Sequence, residues 1–389
     1  MSLGFLMPLE ILQIVPHLPP SISGVGDYAC LLAAQMQAAH GLSTKFFVCD
    51  PSWRGDPEIN GFSVERFDSH DASELALRLA APDMPDMVLL HYVGYGYHKR
   101  GCPLWLARGL RSWKKALPGR CLVVMLHELY ASGPPWSSSF WTSPIQRALV
   151  KSFVRMSAHT VTNLQSSRRL LARIMSNSAN DFSVFPVFSN VGEPPSLPHW
   201  GNRRPRLVVF GNPAWRRQAY VEHQTALEDA CAAFGLEEIV DIGSPCGVLP
   251  KFRVPVVLKG NLPAEEISAQ LLNARAGFFT YPAAYLGKSG VFAAYAAHGV
   301  APLTYAKNVA ANGDGLSERD HFISTGSWYS YGAGELQRVG VAARAWYANH
   351  AIDVQAKGYS EIFQLLDREI ARAAPAPLPV AYETEKLTA

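Results

Sequence analysis

GFFTYPAAYLGKSGVFAAYAAHGVAPLTY, residues 277–305, is the stretch that decides the fold. Gly277 to Tyr281 is an apolar run that stops at Pro282, and Val300 to Tyr305 is another. Between them Ala293, Ala294, Ala296 and Ala297 build a small-residue helix from Gly290 to His298. Strand, turn, helix and strand in that order predict a βαβ unit with parallel strands. Continuous rather than alternating apolar runs suit strands covered on both faces.

The same rhythm extends in both directions. Upstream, strands are expected at Glu10–Val15, Thr44–Cys49, Met87–Tyr92, Cys121–His127, Thr160–Asn163 and Phe182–Val187. Helical patterns lie between them: one from about Asp27, others at Leu104–Leu117, Ile145–Met156 and Gln165–Met175. Residues Ser189–Pro205 are rich in Pro and Gly and read as a linker. The alternation then restarts, with strands at Arg206–Gly211, Ile239–Gly243 and Val254–Leu258 and helices at Tyr220–Phe234 and Ala264–Ala274. Helices at Glu335–Asn349 and Gly358–Ala373 follow, and the Pro/Ala-rich tail from Pro375 has no periodic pattern. A chain of 389 residues is too long for one ordinary core. Two tandem doubly wound α/β domains with a cleft between them are therefore expected, over 1–190 and 203–355. Ligands of such sheets bind beyond the carboxyl ends of the strands, so the chemistry is sought there.

Bulk composition excludes several classes. Hydrophobic residues make up 48% and charged residues 17%, which is not the balance of a disordered chain. A net charge of +3 without a basic block argues against a nucleic-acid groove. The six cysteines form no C-x-x-C pair and lie in apolar runs, as reduced buried thiols do; a cytoplasmic protein is expected. The apolar start, Met1 to Leu9, is short, lacks a basic segment and meets Glu10, unlike a signal peptide.

Six strand ends carry candidate chemistry. Lys288 and Ser289 open the alanine-rich helix, so an ammonium, a hydroxyl and the amides from Gly290 onward converge as at a phosphate site. An ordinary Ser289 N-cap with a solvated Lys288 is the competing reading. This is not a P-loop, because Pro282 stands where that motif needs glycine. Gly24 and Gly26, in a strand-to-helix turn, would admit a ligand close to the backbone, or simply make the turn. Position 29 is Ala29, so the full dinucleotide fingerprint is absent. Gly211 with Arg216 and Arg217, and Lys259 after another strand, would supply a diphosphate clamp; the alternative is surface cations. His127-Glu128 ends a strand, where His127 would meet a reacting hydroxyl as a catalytic group beside Lys288, or be a hydrogen-bonded structural histidine. His91, Tyr92 and Tyr95 open an aromatic, glycine-rich loop that suits sugar stacking or packing on its own domain.

In order along the chain these features resemble the GT-B glycosyltransferases, and among them the retaining group called family 4. The resemblance rests on Gly24-Val25-Gly26, the strand ending in His127, the interdomain Phe188-Ser189-Asn190-Val191 and the Gly211 strand end with Arg216. It continues through the helix entry Leu262-Pro263-Ala264-Glu265-Glu266-Ile267 and the helix exit Ala296-Ala297-His298-Gly299-Val300-Ala301-Pro302. It implies two Rossmann-like domains, with acceptor on the first, where His91, Tyr92, Tyr95 and Glu128 stand. The nucleotide-diphosphate sugar would sit on the second, with a last helix at about 358–374 packing back on the first. It also implies no catalytic metal and no cofactor beyond the donor. The acceptor would be a glycan or a lipid-linked sugar, and Trp136, Phe140 and Trp141 near Lys151 and Arg155 have the mix of a peripheral membrane contact, the alternative being a packed loop and helix. The positions that align with the family's two glutamates fall on Leu286 and Ala294. That departure keeps two alternatives open: a sugar-nucleotide epimerase using Glu128, Glu193 or Glu318, and a protein that binds without catalysis.

Overall fold

Strand β1 (Glu10–Val15) buries Ile11, Leu12, Ile14 and Val15 completely. Neighbouring side chains of a strand point to opposite faces, so layers must cover this one on both sides. In the computed structural model, which describes residues 9–175, 182–305, 314–325, 328–332 and 334–373, they do. The chain start up to Pro8 and the tail from Pro375 lie outside the described residues.

The first sheet continues with β2 (Ser43–Val48), β3 (Glu58–Ile59), β4 (Phe62–Arg66), β5 (Met87–Tyr92), β6 (Cys121–Leu126), β7 (His159–Thr162) and β8 (Phe182–Val184). Its order is β3-β4-β2-β1-β5-β6-β7-β8, parallel except for the β3–β4 hairpin. That hairpin was not expected from periodicity, yet its turn is Asn60-Gly61, both with positive φ. Asn-Gly is the pair a type I′ turn favours.

The second sheet holds β9 (Arg204–Phe210), β10 (Glu238–Ile242), β11 (Val256–Leu258), β12 (Ala274–Phe279), β13 (Ala301–Thr304) and β14 (Ile323–Ser324). All pairs are parallel, in the order β11-β10-β9-β12-β13-β14. In each sheet the order reverses beside the first strand: between β1 and β5, and between β9 and β12. These two switch points are where a doubly wound sheet opens a crevice.

Several boundaries differ from the periodicity, two of them at the start of the second sheet. The linker gives way to β9 at Arg204, and the helix expected from Tyr220 to Phe234 is two helices, Pro213–Val221 and Gln224–Phe234. Asn212 caps the first of these by accepting from the Ala214 amide at 2.8 Å, with Pro213 in the first turn. Gly-Asn-Pro is thus a helix entry.

The last described helix, Ile352–Ala373, begins before Gly358 and returns to the first domain. Its Ala356, Tyr359, Phe363 and Leu366 share one apolar cluster with Tyr28, Leu32 and Met36 of the helix Gly24–His40. The Tyr28 hydroxyl donates to Gln355 Oε1 at 2.7 Å, a buried bond between chain positions far apart in sequence. Between the domains the Val187 amide donates to the Gly287 carbonyl at 2.8 Å, and the Ser189 amide to the Tyr347 hydroxyl at 2.8 Å. These contacts set the carboxyl ends of both sheets around one cleft.

Candidate functional site between the two sheets

The cleft encloses about 360 Å³. From the first domain it is lined by Gly24 and Tyr28 and by His127 and Glu128 just beyond β6; from the second, by Tyr281, Lys288 and Gly290. A smaller hollow of about 200 Å³ opens at the β9/β12 switch point, with Asn212, Trp215 and Thr280 in its walls. Tyr281, Lys288 and Gly290 line both spaces. The two hollows therefore meet at the start of the alanine-rich helix.

Ser289 is the N-cap of that helix, Gly290–Ala297, and its Oγ accepts from the Phe292 amide at 3.2 Å. The hydroxyl is thus used by the helix, as the competing reading of Ser289 held. The first amides of a helix have no partner within it, so those of Gly290 and Val291 remain for an anion. Lys288 Nζ stands 5.1 Å from the Tyr285 ring centre, and no carboxylate among the described residues pairs with it. Ammonium and helix dipole add at one point.

Of the expected arginine clamp, Arg216 alone lines the smaller hollow, and its guanidinium is engaged within the domain. Arg216 lies on the inner side of its helix, 1% exposed, and is ion-paired with Asp241 of β10. Its guanidinium also donates to the carbonyls of Gly211, at 3.1 Å, and Ser244. Its charge is spent inside the domain, since an arginine buried on the sheet must be paired. Arg217 is exposed and points toward Gly247, where an added Cβ would come 2.7 Å from its Nη1. Lys259 follows the edge strand β11, exposed, and β10 separates that strand from β9. Neither lines either hollow.

The glycines divide. Gly24 has open space around it and faces the cleft. Gly26 is a packing glycine: a Cβ there would come 2.5 Å from the His17 carbonyl oxygen, and its amide donates to Ser23 Oγ at 3.2 Å. Gly211 has φ +113° and brings the β9 exit close to Val291.

In the first domain His127 rests on a buried chain. Its Nε2 is 3.1 Å from His91 Nδ1, and His91 Nε2 is 2.7 Å from Gln13 Oε1. Gln13 Nε2 in turn donates to Thr44 Oγ1 at 3.3 Å. A Gln13 carbonyl that accepts from His91 Nε2–H leaves His91 Nδ1 as acceptor. His127 must then carry its proton on Nε2, with Nδ1 as a bare acceptor. Burial pushes the His127 pKa down to about 3, and burial with the neighbouring His127 pushes that of His91 well below its ordinary value, so both rings are neutral. The Tyr28 ring sets its edge on both, 5.8 Å from His91 and 5.2 Å from His127, and stacks on Phe188 at 4.3 Å.

His91 is thus a support beneath the cleft rather than a wall of it. Tyr92 is buried in the first-domain core, its ring 4.7 Å from that of Phe153. Tyr95 is on the surface, its hydroxyl 3.4 Å from Gln146 Nε2. The tyrosine-rich loop packs on its own domain because Tyr97 turns inward to the carbonyls of Ile14 and His91. Glu128 is exposed and is the one carboxylate among the described residues that line the cleft. Leu286 and Ala294 belong to the second domain's apolar core, so neither position faces the cleft. Sequence reasoning missed Tyr28 and Tyr281 as lining residues. Tyr281 follows a strand, so the strand-end rule reaches it; Tyr28 reads as one member of a helix stripe.

Two parallel sheets, a hollow at the second switch point and a returning C-terminal helix define the GT-B fold. Solved structures similar to this chain have that fold. An alpha-glucosyltransferase in complex with UDP and a 13-mer DNA containing an HMU base is 10% identical, with a TM-score of 0.58, covering 93% of this chain and 100% of that one. The apo lipopolysaccharide outer core galactosyltransferase WaaB is 12% identical, with a TM-score of 0.53 and coverage of 92% and 100%. A UDP-N-acetylglucosamine 2-epimerase is 10% identical, with a TM-score of 0.55 and coverage of 95% and 99%. No protein-family model matches the chain, and no curated protein matches it in sequence.

Proposed function

We propose that the protein is a glycosyltransferase that holds a nucleoside-diphosphate sugar across the two hollows and passes the sugar to a glycan or lipid-linked acceptor. The observation that carries this reading is Lys288 and the helix amides at the junction of the hollows. The nucleoside enters the smaller space, the diphosphate lies over Lys288 and the amides of Gly290 and Val291, and the sugar extends toward His127 and Glu128. The acceptor oxygen bonds to the anomeric carbon as the bond to the diphosphate breaks. Lys288 and the helix start stabilise the negative charge that develops on the leaving group, usually the largest catalytic contribution. His127, neutral and fixed by His91, accepts a hydrogen bond from a hydroxyl. Glu128 is the group placed to receive the acceptor's proton. Retention at the anomeric carbon follows from the resemblance to the retaining family alone.

The epimerase alternative needs carboxylates at the sugar. Glu193 accepts from the Tyr347 hydroxyl and from the Ile352 amide, and Glu318 accepts from Ser324 Oγ. Among the described residues Glu128 has no second carboxylate in the cleft, which favours transfer.

Titration calorimetry with UDP and other nucleoside diphosphates tests the reading. A charge-assisted hydrogen bond is worth about 1.5–3 kcal/mol, so Lys288→Ala weakens binding by roughly 10- to 100-fold. Unchanged affinity in Lys288→Ala removes the diphosphate seat and with it the proposal. Binding without turnover of any sugar donor assigns the chain to the non-catalytic alternative.

A further inference from the structure

Between Tyr95 and Met156 the sequence holds ten lysines and arginines and a single acidic residue, Glu128. Elsewhere the chain is acidic on balance: 35 − 10 = 25 basic against 32 − 1 = 31 acidic residues. All of these cations but Arg120, which pairs with Asp86, sit on two neighbouring helices and the loop before them. The helices Leu104–Ala116 and Ser138–Met156 lie side by side, joined where Arg111 Nη2 donates to Ser152 Oγ at 2.8 Å. The loop before them is tied on by Gln146 Nε2, which donates to the Arg100 carbonyl at 2.9 Å. Arg147, Lys151 and Arg155 recur every fourth residue and share one stripe of the second helix. None of these three, nor Lys99, Arg100 or Arg111, has a carboxylate partner among the described residues.

At the start of the same helix stand large apolar side chains that are exposed among the described residues. Trp136 is 87% exposed and Trp141 70%, with Phe140 and Ile145 beside them. The Phe140 and Trp141 rings meet edge to face at 5.3 Å, and Trp141 Nε1 donates to the Pro135 carbonyl at 3.0 Å. The rings are thus fixed in an outward pose. Two projecting indoles beside unpaired cations suit the boundary between headgroups and acyl chains, where an indole buries its ring and keeps its N–H hydrogen-bonded. The charge speaks for a partner that is anionic over a wide area.

We propose that this basic, tryptophan-tipped face of the first domain docks the protein on an anionic lipid bilayer. Arg147 lies over the Tyr130 ring at 4.8 Å, two residues beyond the cleft-lining Glu128. The face therefore adjoins the first-domain wall of the cleft. Its use in presenting a lipid-linked acceptor rests on the glycosyltransferase reading; the docking itself does not.

The test is sedimentation of the full chain with vesicles of phosphatidylglycerol and phosphatidylcholine, and with phosphatidylcholine alone. The protein pellets with the first and stays in solution with the second. Each basic side chain near such a surface is worth about five-fold in partitioning, so Arg147→Gln/Lys151→Gln/Arg155→Gln lowers it by about 100-fold. Trp136→Ser/Trp141→Ser lowers it at least ten-fold, and the exposure of both indoles keeps the fold intact, as circular dichroism checks. Equal pelleting of parent and variants, or no pelleting with anionic vesicles, overturns the proposal. Binding of a DNA duplex that both variants abolish, with no vesicle binding, assigns the face to nucleic acid and also overturns it. UDP affinity is measured in the same variants: it stays at the parental value when docking is lost. Lys288→Ala keeps vesicle binding, so failure of the two readings is told apart.

Discussion

Replacing Arg216 by methionine separates a structural arginine from a ligand-binding one. The guanidinium is buried against Asp241, itself 4% exposed, and satisfies the carbonyls of Gly211 and Ser244 as well. Arg216→Met leaves the Asp241 carboxylate in a low-dielectric site without its cation. Breaking a buried pair from one side costs about 3–5 kcal/mol. In a domain of this size about 2–4 °C of melting temperature corresponds to each kcal/mol, so the midpoint falls by about 6–20 °C. The double variant Arg216→Met/Asp241→Leu removes both charges and recovers most of the loss, because an apolar pair of similar volume is often neutral or better. Thermal unfolding followed by circular dichroism reads the stability, and UDP titration below the transition reads the site. The single variant keeps UDP affinity within a few-fold of the parent. A melting point unchanged in Arg216→Met, together with lost UDP binding, would refute the assignment and restore this arginine to the diphosphate.

Other consequences follow from buried groups. His298 donates from Nδ1 to the Ala294 carbonyl at 2.8 Å and accepts from Ser268 Oγ at 2.8 Å; burial first, then the Ala294 contact opposing it and the charges of Arg203 and Arg344, leave its pKa near about 4. Between pH 6.5 and 4 the unfolded chain therefore takes up a proton that the folded one refuses, and stability falls with acid through that window and is flat above it. At pH 5 the loss is about 2 kcal/mol, and melting curves of His298→Gln lack this part of the slope; parallel pH profiles would count against it. His91→Leu removes the bond that fixes His127, lowers stability by about 1–3 kcal/mol, and converts the His127 signals in nitrogen-15 spectra from one neutral tautomer to a mixture; an unchanged tautomer would show that the Gln13–His91 chain does not orient it. Gly26→Ala forces a Cβ to 2.5 Å from a backbone oxygen and lowers stability by about 1–3 kcal/mol, whereas Gly24→Ala, in open space, leaves the melting point at or above the parental value.

The architecture was legible in the sequence because its signals are local. β1 and β5 fall where their largely apolar runs lie, and the alanine-rich helix starts at Gly290 as its composition indicates. Strand-end position also drew attention to His127, Glu128 and Lys288, since a doubly wound sheet exposes that edge whatever its side chains are. Tertiary structure decided which way the candidates face. Arg216 and Arg217 are adjacent in sequence, but successive helix residues are rotated by about 100°, so one turns into the domain and its neighbour to solvent. Tyr92 and His91 divide between core and site support because strand neighbours alternate between faces. The pairing of Arg216 with Asp241, the His127–His91–Gln13 chain and the meeting of two hollows at Lys288 join residues from different strands and domains. Their chemistry is written in the sequence, but their separation in space is set only when the sheets are assembled.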